Sequence, residues 1–193
     1  MERDGVATSK LPVVPGDLDP IRMSTAAFET IAREAPASAD GTETGGALFG
    51  FDGGALGPPL ITHAGTPGPA AVRKGDFFLR DRAHAQDEAD AAYAECCARW
   101  IGEWHTHPAG LPQPSQRDIT SYLAHLSDHE LAFETFLSLI VVPEDKDWAH
   151  AIVAAWEVGP SAMWLRGIDL TPAAEAAEEA LRRASQATES EGT

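Results

Sequence analysis

The sequence predicts an α/β protein: one domain with a single mixed β-sheet flanked by helices. Three observations carry this. Helix-patterned stretches are inserted between short apolar runs, the last third reads as consecutive strands with a hairpin, and no segment repeats. A chain of 193 residues, 44% of them hydrophobic, sets one domain with tails as the expectation and can bury a core without disulfide staples.

Residues 1–19, rich in Pro, Gly and charge, read as a flexible N-terminal arm, and the domain proper spans 20–170. Ser24 is the expected N-cap of a helix over 24–33, with Ala27, Phe28, Ile31 and Ala32 on one apolar stripe. A loop rich in Pro, Ser, Asp and Gly follows. The glycine-bounded apolar run at 43–50 suits a buried strand, and Gly53-Gly54 turns the chain toward a second strand at 60–63. After a Pro/Gly-rich loop at 65–69, residues 76–79 form a third strand. The Ala-, Asp-, Glu- and Gln-dense stretch 81–99 forms the next helix. In the strand expected at 100–107, Trp100, Gly102, Trp104 and Thr106 alternate with Ile101, Glu103, His105 and His107. A helix is expected over 115–130 and strands at 136–142, 149–158 and 163–170. Thr171-Pro172 resembles a cap followed by Pro at the first helical position, opening an acidic helical or disordered tail over 171–193.

Charge excludes some functions. With 14 Lys+Arg against 30 Asp+Glu, the formal net charge is −16, and no basic run offers a footprint for phosphates. Nucleic acid and anionic membrane surfaces are therefore not expected partners. The N-terminus lacks an apolar leader core, and the longest apolar stretches fall short of the ~20 residues that span a bilayer, so a cytoplasmic protein is expected. The two cysteines, Cys96 and Cys97, are adjacent and read as buried small hydrophobes. The five tryptophans read as core.

The informative stretch runs from His105 to Asp118. On a strand, side chains at i and i+2 share a face, so His105 and His107 present two imidazoles to one point while Trp104 and Thr106 face away. The Pro/Gly-rich loop after Pro108 reverses the chain, and Asp118 on the next helix can return as a third ligand. Two imidazoles and a carboxylate suit zinc and leave a fourth position for water. Ser115-x-x-Asp118 is equally a capping box for that helix. A hydrolytic metal site also needs a base. Glu103 shares the face of the histidines, whereas Glu43 stands beside Gly45-Gly46, where missing side chains permit close approach; local geometry does not separate the two.

Glu43-Thr44-Gly45-Gly46-x-Leu48-x-Gly50, followed by His105-x-His107-Pro108-x6-Ser115-x2-Asp118, resembles the JAMM (MPN+) metallopeptidases of the Mov34/MPN/PAD-1 superfamily, and within them the prokaryotic JAB-type branch. The flanking Ile101-Gly102-Glu103-Trp104 also resembles that branch. The resemblance implies a curved sheet of cytidine-deaminase-like architecture and one catalytic Zn2+ held by His105, His107 and Asp118. By it Glu43 is the general acid/base, Ser115 hydrogen-bonds the developing oxyanion, and Glu103 is either a structural group or one that stands behind the ligands. It implies an isopeptidase or peptidase that cleaves an amide bond at the C-terminus of a ubiquitin-like modifier, in maturation or deconjugation, alongside activating and conjugating enzymes. The alternatives it leaves are a peptidase processing a sulfur-carrier protein or small peptide, and a non-catalytic MPN scaffold.

Other metal and nucleophile patterns are weaker. His125 and His129 lack the H-E-x-x-H context and read as solvated helix residues. A zinc deaminase needs H-x-E and P-C-x-x-C, where this chain has His107 and Pro114-Ser115-Gln116-Arg117-Asp118. His63, His84 and His150 are isolated.

Overall fold

In the computed structural model, which describes residues 11–191, the Ser24 side chain sets the first boundary. Its hydroxyl accepts the Ala27 N–H at 3.0 Å and donates to the Thr62 carbonyl at 2.6 Å. It thereby caps α1 (Thr25–Glu34) and ties the end of β1 (Ile21–Ser24) to a neighbouring strand. The helix and cap are those expected; β1, four residues long, is too short to announce itself by periodicity. The loop expected after α1 is a 3-10 turn, Ala35–Asp40.

β2 (Gly45–Phe51) and β3 (Leu60–Ala64) pair antiparallel. β4 (Val72–Lys74) and β5 (Phe77–Leu79) form a separate two-stranded ribbon, of which only the second strand was expected. The Asp81 carboxylate accepts the Ala83 and His84 N–H groups and starts α2 (Arg82–Cys96). This helix stops at Cys97, which is left-handed at φ 58°. Cys96 is buried as expected, but Cys97 is exposed, because the chain leaves the helix between them.

β6 (Arg99–Thr106), α3 (Gln116–Ser127) and β7 (Phe136–Glu144) make a βαβ unit with β6 and β7 parallel. β8 (Asp147–Val158) returns antiparallel as the expected hairpin. The single strand expected at 163–170 is two, β9 (Met163–Arg166) and β10 (Ile168–Thr171), with Gly167 between them. α4 (Ala173–Glu191) ends the described chain.

The main sheet has eight strands in the order β10-β1-β3-β2-β6-β7-β8-β9. Its two edge strands, β9 and β10, are consecutive in sequence and one glycine apart, so the sheet must curl until its edges meet. The mixed, strongly curved sheet expected from the sequence is present, close to a barrel and flanked by four helices. Alternation on β7 explains how both faces are covered: Leu137, Leu139 and Val141 pack on the side of Ile31 and Trp104, and Phe136, Ile140 and Val142 pack under Ile119 and Tyr122 of α3. Ala92 of α2 and Ala176 and Ala180 of α4 close over Phe49 and Leu60.

Residues 12–14 exchange backbone hydrogen bonds with Met163, and the Asp19 carbonyl accepts Arg166 Nε at 3.0 Å. The rest of the expected arm, residues 1–10, and residues 192–193 of the tail lie outside the described residues. Among the described residues no helix is long and apolar enough to cross a membrane.

Candidate metal centre

The centre forms where β6 ends and α3 begins, at the carboxyl end of a strand that crosses over to a parallel neighbour. Such ends are where α/β sheets place ligands. Backbone pairing carries His105 into β6, and His107 follows just beyond it, its N–H bonded to the Val141 carbonyl at 2.9 Å. The turn after Pro108 then brings α3 back. Ser115 caps α3 in a full capping box: its hydroxyl accepts the Asp118 N–H at 3.3 Å, and Asp118 Oδ2 accepts the Ser115 N–H at 2.6 Å.

This geometry brings the three sequence-predicted ligands together. The Nε2 atoms of His105 and His107 are 3.0 Å apart, and each is 3.5 Å from Asp118 Oδ2. Donors around a tetrahedral zinc at about 2.0–2.1 Å stand about 3.3 Å from one another, so the triangle fits such an ion without rearrangement. His105, His107 and Asp118 are a group able to hold a metal. The His107 ring is already oriented for it: Nδ1 donates to the Leu111 carbonyl at 3.0 Å, which leaves the Nε2 lone pair facing the cluster.

Electrostatics point the same way. Burial alone would raise the Asp118 pKa, but hydrogen bonds from the two imidazoles hold it well below the usual carboxylate range. Burial would lower the His105 pKa, yet Asp118, Glu103 and Glu43 raise it above the ordinary 6.5. The same carboxylates that favour a charged imidazole in this buried pocket favour a cation between these atoms.

Glu43 and Ser115 border the same centre. Glu43 lines a cleft of about 240 Å³ with His105, Asp118, Phe77 and Phe78. A second cleft of about 470 Å³, on the His107 side, is lined by Glu43 and Ser115. Three bonds fix the Glu43 backbone region: Glu43 N–H to the Lys74 carbonyl at 2.7 Å, Arg73 Nε to the Glu43 carbonyl at 3.1 Å, and Thr44 N–H to Thr106 Oγ1 at 2.9 Å. Burial lifts the Glu43 carboxyl above its ordinary 4.5, against the opposing pull of His105 and His107.

The approach of β2 to β6 requires glycine. A Cβ on Gly45 would lie 2.3 Å from the Trp104 carbonyl oxygen, and one on Gly46 would lie 2.0 Å from that of Gly65. Missing side chains at Gly45-Gly46 thus let backbone approach backbone here.

Two sequence readings change. Strict alternation put Trp100 with Trp104, away from the histidines. A register shift opposite Leu48/Phe49 inserts one extra residue into β6, so Trp100 instead shares the site's side with Glu103. His125 is not a solvated helix residue: it stacks on Phe136, meets the Trp100 ring edge-on, and burial depresses its pKa. The residues missed by sequence reasoning are Arg73, Arg80, Thr106 and Leu111. Thr106 alone carried a local signal, its inward-facing place between the two histidines.

A mixed, curled α/β sheet that places two histidines at a strand end and a carboxylate on the following helix defines the class: a single α/β domain built around a metal-ligand cluster. The chain belongs to the prokaryotic homologs of the JAB domain, whose family model matches residues 24–165. The resemblance read from two motif blocks is thereby borne out. The chain is similar to the CD-NTase/cGAS isopeptidase of Escherichia coli (strain TW11681), 34% identical over 106 residues, which cover 54% of this chain and 64% of the relative. Its similarity to the CD-NTase/cGAS isopeptidase of Pseudomonas aeruginosa (strain BWHPSA011 / Pa011) is also 34% over 106 residues, covering 53% and 65%. The match thus spans just under two thirds of these relatives' length. A solution structure of a Desulfitobacterium hafniense protein shares the fold, with a TM-score of 0.57 at 18% identity over 79% of this chain and 93% of that one.

Proposed function

We propose that this protein is a zinc-dependent isopeptidase that hydrolyses the amide bond joining the C-terminus of a ubiquitin-like modifier to a target amine. The convergence of His105, His107 and Asp118 within 3.5 Å, beside a carboxyl with a raised pKa, carries this reading. The name of the two relatives, CD-NTase/cGAS isopeptidase, supports a conjugated protein of the CD-NTase/cGAS kind. On this reading the reaction takes place in the cytoplasm, alongside activating and conjugating enzymes of the same system.

When bound, zinc acts as a Lewis acid that acidifies water and polarises a carbonyl. The chain's own residues do the rest. Glu43 accepts a proton from the attacking water as its oxygen bonds to the carbonyl carbon. The same carboxyl returns that proton to the departing nitrogen as the C–N bond breaks, leaving a carboxylic acid, which keeps the second water hydrogen, and a free amine. A pKa raised by burial suits both transfers, because the group takes and gives a proton closer to neutrality. Ser115 Oγ accepts the Asp118 N–H, so its own hydrogen is free to donate to the developing oxyanion. Glu103 suits the base role less, since Arg80 Nη2 donates to its Oε2 at 2.8 Å.

The test is cleavage of a modifier fusion at saturating zinc, with metal content measured in parallel. Glu43→Gln should retain zinc and lose about 10²–10⁴ in kcat, while Glu103→Gln keeps most of it. Full activity in Glu43→Gln together with loss in Glu103→Gln would overturn the assignment of the base. Absence of both metal and cleavage in the wild type would favour a scaffold.

A further inference from the structure

The two histidine ligands are not supported alike. His107 Nδ1 is bonded to the Leu111 carbonyl, but His105 Nδ1 is buried with no hydrogen-bond partner. With His105 Nε2 directed into the cluster, the ring proton sits on Nδ1, so this is a buried donor lacking an acceptor. One carboxylate faces it. Glu103 Oε1 is 3.9 Å from His105 Nδ1, about one ångström beyond a hydrogen bond.

Glu103 is itself held. Its Oε2 accepts Arg80 Nη2 at 2.8 Å, with both side chains only 20% exposed. Arg80 in turn lies over the Trp100 ring, 5.2 Å from its centroid. The register shift in β6 is what brings Trp100 to this side. Arg80 immediately follows β5, so the chain Trp100–Arg80–Glu103–His105 runs from the β4–β5 ribbon to a metal ligand.

We infer that Glu103 is a positioning residue: it receives the Nδ1–H of His105 when the centre is loaded, and Arg80 holds it in place to do so. The inference rests on the metal reading above but not on peptide hydrolysis. Carboxylate partners of this kind fix the tautomer and rotation of a ligating imidazole, and their loss commonly weakens metal binding about 10–100-fold.

The measurement is the zinc dissociation constant of metal-stripped protein, by competition with a chromophoric chelator, with thermal melting of the stripped protein as a check on folding. Glu103→Ala should weaken zinc binding about 10–100-fold. Glu103→Gln, whose amide oxygen still accepts from Nδ1, should recover much of the loss. Arg80→Ala should weaken binding less, and Arg80→Ala combined with Glu103→Ala should be no weaker than Glu103→Ala alone, because Arg80 acts through Glu103. A folded Glu103→Ala protein, or a folded Glu103→Gln protein where the alanine variant does not fold, decides the matter. A dissociation constant within about twofold of wild type in the first, or one weakened by the full factor of about 10–100 in the second, overturns the positioning role. Wild type that binds no zinc would sink the metal reading as well, whereas zinc bound as described without cleavage of any modifier fusion would reject only the hydrolytic reading.

Discussion

Asp118 uses one oxygen twice. Oδ2 accepts the Ser115 N–H as half of a capping box and faces both imidazoles as a prospective ligand. The capping and catalytic readings of Ser115-x-x-Asp118 are therefore compatible rather than rival, since the cap is what holds the carboxylate at the cluster. Ser115 has the same double character, and the two parts can be separated by substitution. Ser115→Ala should cost about 1 kcal/mol of stability, because the cap is lost, whereas Ser115→Gly should cost only about a few tenths. If the hydroxyl donates to the oxyanion, both variants should lose about 10²–10³ in kcat. Denaturant midpoints and single-turnover rates on one modifier fusion check this. A glycine variant with wild-type kcat would leave the hydroxyl with capping alone.

At the level of elements, β2 must lie closer to its neighbours than side chains allow, and Gly46 shows this on the β3 side. A methyl there would meet the Gly65 carbonyl, the same oxygen that accepts Trp104 Nε1 at 2.9 Å. Gly46→Ala should destabilise the domain by about 1–3 kcal/mol, the usual cost of overpacking a close contact. It should also weaken zinc binding by moving β6, and equilibrium unfolding with metal titration reads both. Wild-type stability would mean that the Gly65 loop yields freely. The glycine pair was legible in the sequence, as were the period of β6, the Ser24 and Ser115 caps and all three prospective ligands, because each is written in local spacing. What was not legible depends on contacts distant in sequence. β1 and β4 have four and three residues and gain their order only from partners. The β6 bulge exists only relative to β2, and Arg80 meets Glu103 across 23 positions with no pattern to announce it. The break at Gly167 looked like one strand because apolar residues continue on both sides of it, Met163, Trp164 and Leu165 before and Ile168 and Leu170 after, yet it carries the chain from one sheet edge to the other.

For the whole molecule, the acidity that excluded nucleic acid reads mostly as a solvated surface, but Glu179 departs from that rule. It is 12% exposed on α4 and gathers Arg22 from β1 and Arg182 and Arg183 from its own helix. Arg183, 1% exposed, also donates to the Pro58 carbonyl at 3.0 Å. This knot pins α4 over the part of the sheet where β1 and β3 run parallel. Burial alone would raise the Glu179 pKa, but hydrogen bonds from Arg183 and Arg22 outweigh it and hold the carboxyl below its ordinary 4.5. A carboxyl depressed in the folded state contributes stability that is fully present above its unfolded value and is lost as pH falls through the folded one. Wild type should therefore be more stable than Glu179→Gln at neutral pH, by about 1.5–3 kcal/mol for a hydrogen-bonded charge. That advantage should persist down to about pH 4.5 and shrink below it. Denaturant unfolding of both proteins in a series from neutral to acid pH measures the difference directly and cancels the titration of the other acids. An advantage that stays constant through the acid range would show that Glu179 is held by packing rather than by its charge.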